Sequence, residues 1–215
     1  MSVAKIDNLG SNIEPIQDIA VNTWTTWATN GNSWNDLEWS PELSLFCAVS
    51  SSGSSNRAMT SPDGITWTTR TTNDNDWRRV SWSPELSLFC AISSTGSGNN
   101  VMTSSDGITW TTQYTEITGW YGLTWSPKLS LFCATGSNII MTSPDGINWT
   151  TRTSASDKAW LDVSWSPELS LFCTIAAADV VMTSVDGISW ITRSLSSSDT
   201  WRSITWSPEA DPDNT

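Results

Sequence analysis

Hydrophobic and polar residues alternate along this chain in short runs interrupted by clusters of Ser, Pro, Asp and Gly, the pattern of half-buried β-strands joined by tight turns. Residues 77–119 show one full cycle. The spacing predicts a first strand over 77–82 (WRRVSW), a turn at Ser83-Pro84-Glu85, and a second strand over 86–93 (LSLFCAIS) whose Leu86, Leu88, Cys90 and Ile92 share one face. Phe89 and Ala91 make the other face of that strand apolar too, so it belongs inside stacked sheets. A Ser/Gly/Asn loop at 94–99 leads to a third strand over 100–104 (NVMTS), and the Asp106-Gly107 pair turns the chain into a fourth over 108–113 (ITWTTQ). Val, Ile, Thr and Trp fill these runs, and no helical period is present.

The cycle repeats. Trp-Ser-Pro recurs at Trp39, Trp82, Trp125, Trp165 and Trp206 in steps of 43, 43, 40 and 41 residues, and Asp-Gly pairs at 63, 106, 145 and 186 keep the same period. Residues 34–76 and 77–119 are identical at 27 of 43 positions. A period of about 40–45 residues holding four strands is that of β-propeller blades. Four complete units span Trp34 to Arg193, and the pieces left at the ends complement one another: 201–206 (WRSITW) reads as a lone first strand and 21–28 (VNTWTTWA) as a lone fourth strand. The expectation is an all-β, five-bladed β-propeller of four-stranded antiparallel blades, closed by N- and C-terminal strands, with VAKIDNL and IEPIQD as candidate middle strands of the closing blade. Closure removes open sheet edges that would template aggregation. An open or intermolecularly closed array is the alternative. The chain then divides into an N-terminal segment (1–20), the propeller domain (21–209) and an acidic C-terminal tail (210–215).

Composition narrows the chemistry. The 215 residues include 16 Trp and no His, with 22 acidic against 10 basic side chains and a formal charge of -12. Absence of His removes the commonest general acid/base and the commonest zinc ligand. Basic residues form no cluster beyond Arg78-Arg79, which argues against nucleic acid as a partner. No apolar run is long enough for membrane insertion, and the N-terminus lacks the apolar stretch of a signal peptide, so synthesis in the host cytoplasm is expected. Cys47, Cys90, Cys133 and Cys173 occupy the same place in the phrase LSLFC, a repeated core position rather than a disulfide framework. No acidic set has calcium-loop spacing, so neither a metal nor a cofactor is expected.

Strand parity separates two faces of the disc. Turns between first and second strands and between third and fourth strands lie on one face and hold the constant phrases WSPE and SPDG; the other two loops lie on the opposite face and vary from blade to blade. Ligand contacts are expected on the diversified face, where loops stand on a rigid scaffold. Trp67, Trp110, Trp149 and Trp190, after the Asp-Gly turns, read as packing between blades, and the Trp of each WSP phrase reads as core. Trp34, Trp77, Trp120, Trp160 and Trp201 lead each innermost strand at the diversified face; they are the candidate ligand-binding residues, as stacking platforms for sugar rings, with channel plugging as the alternative. Asp63, Asp106, Asp145 and Asp186 are expected to accept backbone N–H groups within their own turns. Glu42, Glu85, Glu168 and Glu209, with Lys128 in the third unit, place charge on the constant face.

The phrases SPDGITW (61–67), SSDGITW (104–110), SPDGINW (143–149) and SVDGISW (184–190) resemble the Asp-box of sialidase-type (BNR-like) propellers, with Gly directly after Asp where that pattern has one residue between them. The wider unit is similar to repeats of photosystem II assembly propellers, and the near-identical WSPELSLFCA…MTSPDGITW copies resemble repeat proteins of phages and large viruses. The resemblance implies the propeller fold and turns that stabilise it. A sialidase-like catalytic site would need a nucleophilic Tyr and three converging Arg, whereas only Tyr114 and Tyr121 exist and Arg70, Arg152 and Arg193 recur at equivalent places. The expected function is therefore non-enzymatic: a virion- or surface-associated propeller recognising a glycan or protein surface through its variable loops, with no catalytic residue. A decoration or fibre subunit that self-associates or contacts other virion proteins is the second reading. An intracellular assembly factor is the third.

Overall fold

The computed structural model describes residues 31–96, 98–115, 118–176, 180–194 and 201–207. Among the described residues, sixteen strands form four sheets, each a simple antiparallel meander in chain order. The first holds β1 (Trp34–Ser40), β2 (Leu45–Ser50), β3 (Ala58–Ser61) and β4 (Thr68–Arg70); the second holds β5 (Trp77–Ser83), β6 (Leu88–Ser93), β7 (Val101–Ser104) and β8 (Thr111–Gln113). The third consists of β9 (Trp120–Ser126), β10 (Leu131–Gly136), β11 (Ile139–Ser143) and β12 (Thr150–Arg152), and the fourth of β13 (Trp160–Ser166), β14 (Leu171–Ala176), β15 (Val180–Ser184) and β16 (Ile191–Ser194). Each sheet is one blade. The leading strands β1, β5, β9 and β13 pack in succession, and all four line one central cavity.

The described residues form four blades, where the repeat count predicts five. Residues 201–207 have no strand partner among the described residues and carry no ladder, although Ser203, Ile204 and Thr205 line the central cavity with the four leading strands. The proposed N-terminal contributions, 1–20 and 21–28, and the tail 210–215 lie outside the described residues.

Two predicted strands are shorter than their apolar patterns. The second strand of the second blade starts at Leu88, because the preceding turn uses the amides of Leu86, bonded to Ser83 Oγ at 3.2 Å, and Ser87, bonded to Pro84 O at 3.1 Å. Ser87 holds φ at 48°, and Ser44, Ser130 and Ser170 repeat this left-handed conformation. The fourth strand starts at Thr111 because the amides of Ile108 and Thr109 are taken by Asp106.

The core lies between blades. Trp77, Val80, Trp82 and Phe89 of the second blade pack on Cys47, Val49 and Ala58 of the first, and the same set recurs at the next two junctions. This explains the doubly apolar second strands: Phe89 and Ala91 face one neighbour while Cys90 and Ile92 face the other. Cys47, Cys90 and Cys133 are buried free thiols, and burial pushes their ionisation well above the ordinary thiol range.

Candidate functional site

Each leading strand carries a β-bulge immediately after its first Trp. Trp77 pairs with Ser93 and Arg79 with the adjacent Ile92, so Arg78 is the extra residue; the first, third and fourth blades shift at the same place. The bulge reverses parity between the leading Trp and the rest of the strand. Trp77 therefore falls on the same face as Val80 and Trp82, within the inter-blade core, instead of at the cavity mouth. Trp77, Trp120 and Trp160 have no exposed surface and cannot offer a ring to a sugar. Trp77 Nε1–H donates to Asn73 O at 3.3 Å and Trp160 Nε1–H to Ser154 Oγ at 2.9 Å. Trp34 is half-buried, whereas Trp201 is exposed. The expected five-membered ring of stacking platforms is not assembled by these residues. The signal for this was present in the spacing, since leading Trp, aliphatic and second Trp stand at offsets of 0, 3 and 5, which share a face only with one inserted residue.

The Asp-Gly turns form as expected from their side-chain chemistry. Ser61 Oγ–H donates to Asp63 Oδ1 at 2.9 Å and accepts from Gly64 N–H at 2.8 Å, while the amides of Ile65 and Thr66 donate to Asp63 Oδ1 at 2.8 and 2.7 Å. Gly64 holds φ at 70°, and Trp67 Nε1–H closes the turn onto Gly64 O at 3.1 Å. The other three copies repeat the Asp and Trp bonds. Bonds from the Thr66 and Ile65 amides, then from Ser61, lower the Asp63 carboxyl to about 2, and Asp106, Asp145 and Asp186 are lowered as well.

A second constant-face device was not anticipated. Glu42 Oε2 accepts from Trp82 Nε1–H at 2.6 Å, and Glu85 Oε2 accepts from Trp125 Nε1–H at 2.7 Å, each bond linking one blade to the next. Lys128 interrupts this ladder and donates to Ser170 Oγ at 2.6 Å. A Glu three residues after four of the five WSP Trp residues, with Lys128 after Trp125, was its visible trace.

On the diversified face the loops brace one another. Arg57 Nη1 meets Asp76 Oδ1 at 3.0 Å and its Nε lies 3.7 Å from Asp74, while Arg57 also donates to the carbonyls of Gly53 and Ser51. Asn32 Nδ2 donates to Asn56 O at 3.0 Å, and Asn75 Nδ2 to Asn99 O at 2.6 Å, tying two loops at equivalent places in successive blades. Tyr114 is 70% exposed and lies over Gly98, whose missing Cβ makes room for the ring.

The central cavity, about 720 Å³, is lined by residues of all four leading strands and by 203–205. Asp36 and Glu38 project from one strand. Burial raises Asp36 to about 6, opposed by the Val80 amide and Arg79, and burial with the Asp36 charge raises Glu38 to about 7. Asp36 Oδ2 accepts from Val80 N–H at 2.9 Å. Asp162 Oδ2 makes the equivalent bond to Ile204 N–H at 3.0 Å and accepts from Ser203 Oγ–H at 2.6 Å, while Asp162 Oδ1 faces Arg79 Nε at 3.4 Å. Among the described residues, no group of three or more Cys, Asp and Glu side chains is placed to hold a metal.

No family model matches the chain, and no curated protein matches its sequence. Solved structures do match its shape. They include a chain of a nidogen/laminin complex (TM-score 0.67, 13% identity, covering 82% of this chain and 70% of that one) and YCF48 from Cyanidioschyzon merolae (0.60, 17%, 80% and 59%). Virginiamycin B lyase from Staphylococcus aureus also matches (0.65, 10%, 77% and 56%). The fold is a β-propeller. This chain spans less than two thirds of the length of the YCF48 and lyase chains it matches.

Among the described residues, the first and fourth blades are less covered than the blades between them. Leu37 is 51% and Trp39 38% exposed on the first blade, although Val80, Leu123 and Val163, and Trp82, Trp125 and Trp165, are at most 6% exposed at the same places. Gly107, Gly146 and Gly187 each meet a Leu side chain of the preceding blade, while Gly64 meets only Phe46 of its own. A cavity of about 430 Å³ lies along this face, lined by Trp34, Leu37, Ala48 and Met59 among others. On the fourth blade, Cys173 is only half-buried, and Ile204, Thr205 and Trp206 lie against it.

Proposed function

We propose that this chain is a non-enzymatic recognition propeller, completed as a five-bladed ring by its own N-terminal segment, that binds a protein surface through its diversified face on a virus particle or cell surface. The observation that carries the reading is the division of labour between faces. WSPE and SPDG turns repeat on one face, while on the other the loops differ in length, charge and polarity but remain mutually braced by Arg57, Asp74, Asp76 and the Asn pairs. Such loops on a rigid scaffold present a fixed polar epitope at low ordering cost. The virion location rests on the likeness of the tandem copies to phage and large-virus repeat proteins, and the Asp-Gly turns are read as Asp-boxes on the likeness of SPDGITW and its copies to that motif. Closure is supported by the matched bonds Asp36–Val80 and Asp162–Ile204, in which Ile204 meets Asp162 as Val80 meets Asp36, and by the ten-residue step from Trp24 to Trp34 that repeats Trp67 to Trp77.

Recognition of glycan is the second reading, favoured by the exposed Tyr114 ring. Full-length protein displayed to biotinylated host-cell surface proteins and, in parallel, to a glycan array separates the two. The Tyr114→Ala and Arg78→Ala double variant is expected to lose protein capture at least tenfold with an unchanged circular dichroism spectrum. Capture unaffected by the double variant and by replacement of loop 71–76 with Gly-Ser sequence overturns the face assignment; glycan binding lost with Tyr114 moves it to the second reading.

A further inference from the structure

Exposed large apolar residues are unevenly distributed. Apart from Leu37, Trp39 and Trp201, nearly all stand on the constant face, and Tyr114 and Ile191 are the exceptions among the described residues. Ile65, Ile108, Ile147 and Ile188, the residues directly after each Asp-Gly pair, are 46–51% exposed in all four blades, and Leu86 and Leu169 of the neighbouring turns are exposed with them. The turn itself does not require Ile at this position, because its bond there is made by the backbone amide and the side chain points away from the core. Thr or Ser would serve the turn equally and leave less apolar surface in water.

Each Ile stands beside a carboxylate that its own turn holds ionised, and the WSPE turns add Glu42, Glu85 and Glu168. Among the described residues, Lys128 is the one cation on these turns. The face therefore repeats a unit of one apolar side chain beside one fixed negative charge. We infer that the constant face is a docking surface for a protein whose contact surface carries repeated Lys or Arg flanked by apolar side chains. A second copy of this chain is a poor occupant, since two such faces would oppose like charges at every repeat. Anionic lipid is repelled for the same reason, and a glycan leaves the Ile side chains unmatched. Four equivalent weak contacts presented at once suit a partner that is itself repetitive, through multivalency. One face anchors and the other is left free; the inference does not depend on what the diversified face binds.

The test uses full-length protein at 150 mM salt and three synthetic amphipathic peptides of equal length, made from Lys and Leu, Lys and Ser, or Glu and Leu, with titration calorimetry as readout. The Lys/Leu peptide is expected to bind at least tenfold more tightly than either control. Exchange of Ile65, Ile108, Ile147 and Ile188 for Thr should remove that advantage, and the Ile108→Thr and Ile147→Thr pair, if the fourfold variant does not fold, should reduce it by at least threefold. Tyr114→Ala should leave it unchanged, which separates failure here from failure of the diversified-face reading. Equal binding of Lys/Ser and Lys/Leu peptides, or full binding by the Ile variants, overturns the inference. So does sedimentation showing that wild type, and not the Ile variants, self-associates, or binding to phosphatidylserine vesicles that the Ile variants lose.

Discussion

Leu37 and Leu123 occupy the same position in the first and third blades, three residues after the leading Trp, so their truncation to Ala offers a measurement of closure with an internal control. Leu123 is 6% exposed, and removal of such a side chain costs about 2–5 kcal/mol through lost burial and the cavity left behind. Leu37 is 51% exposed to its described neighbours, so an open first blade gives it roughly half that loss, about 1–2 kcal/mol. Under the proposed closure, a fifth blade built from the N-terminal segment would bury Leu37 as its counterparts are buried. The expected result for the full-length chain is therefore equal destabilisation by Leu37→Ala and Leu123→Ala, within about 0.5 kcal/mol, the additivity error for distant sites. Urea unfolding followed by far-ultraviolet circular dichroism and Trp fluorescence measures both, with equal slopes required so that the comparison reports the native state. The midpoints should not move with protein concentration, because closure by a second copy would make them do so. A Leu37→Ala cost at or below half that of Leu123→Ala refutes closure by the chain's own terminus.

Three further outcomes are expected. Glu85→Gln weakens the acceptor for Trp125 Nε1–H and should cost about 1–2 kcal/mol, while Lys128→Glu extends the same ladder toward Trp165 and should stabilise by up to about 1 kcal/mol; thermal melts of the two variants check both signs. Stability should peak on the acid side of neutrality. The turn aspartates have lowered folded-state values, so their contribution is complete above the ordinary carboxylate range and is lost as pH falls toward about 2. Asp36 and Glu38 have raised values, so the folded state holds more protons than the unfolded chain and stability declines as pH rises from about 4 to about 7. Glu38→Gln should flatten that decline, and an unchanged pH profile would remove Glu38 from the account. Trp120→Ala should destabilise by at least about 3 kcal/mol, as an interior ring does, and a folded, fully stable variant that only loses binding would restore its role as a platform.

The blades were legible in the sequence because each signal there is local: alternation within strands, Asp-Gly and Ser-Pro at turns, and a period that identical copies make unmistakable. What escaped depends on geometry between strands. The bulge at Arg78 changes which way Trp77 faces without changing any residue type, so a period-two reading sends Trp77 to the cavity and the actual ladder sends it into the core. The Glu85–Trp125 bond joins residues 40 positions apart, and the Glu alone reads as a solubilising charge. Likewise the fourth strand reads as starting at Ile108 until Asp106 is seen to take the amides of Ile108 and Thr109.

Variation among near-identical copies has two causes, and the cavity helps separate them. The second position after each leading Trp reads Asp36, Arg79, Gly122, Asp162 and Ser203, a sequence as varied as any loop although it sits on the most regular strand. These positions face one another around the axis, where Arg79 reaches Asp162 from 83 residues away. Five copies of one charge at such a level would be desolvated together and repel, so amplification of an identical repeat is self-limiting there. Asp36 and Asp162 persist where each accepts the amide of the following strand, Arg79 offsets their charge, and Gly122 is bare because the backbone of β13 comes within 2.8 Å of where its Cβ would stand. Divergence at the axis is thus forced by the scaffold itself. The loops of the diversified face do not line this cavity, and in the first two blades the bracing pairs Asn32–Asn56 and Asn75–Asn99 recur while the residues around them differ. Their divergence is what the proposed recognition of a partner through this face would account for.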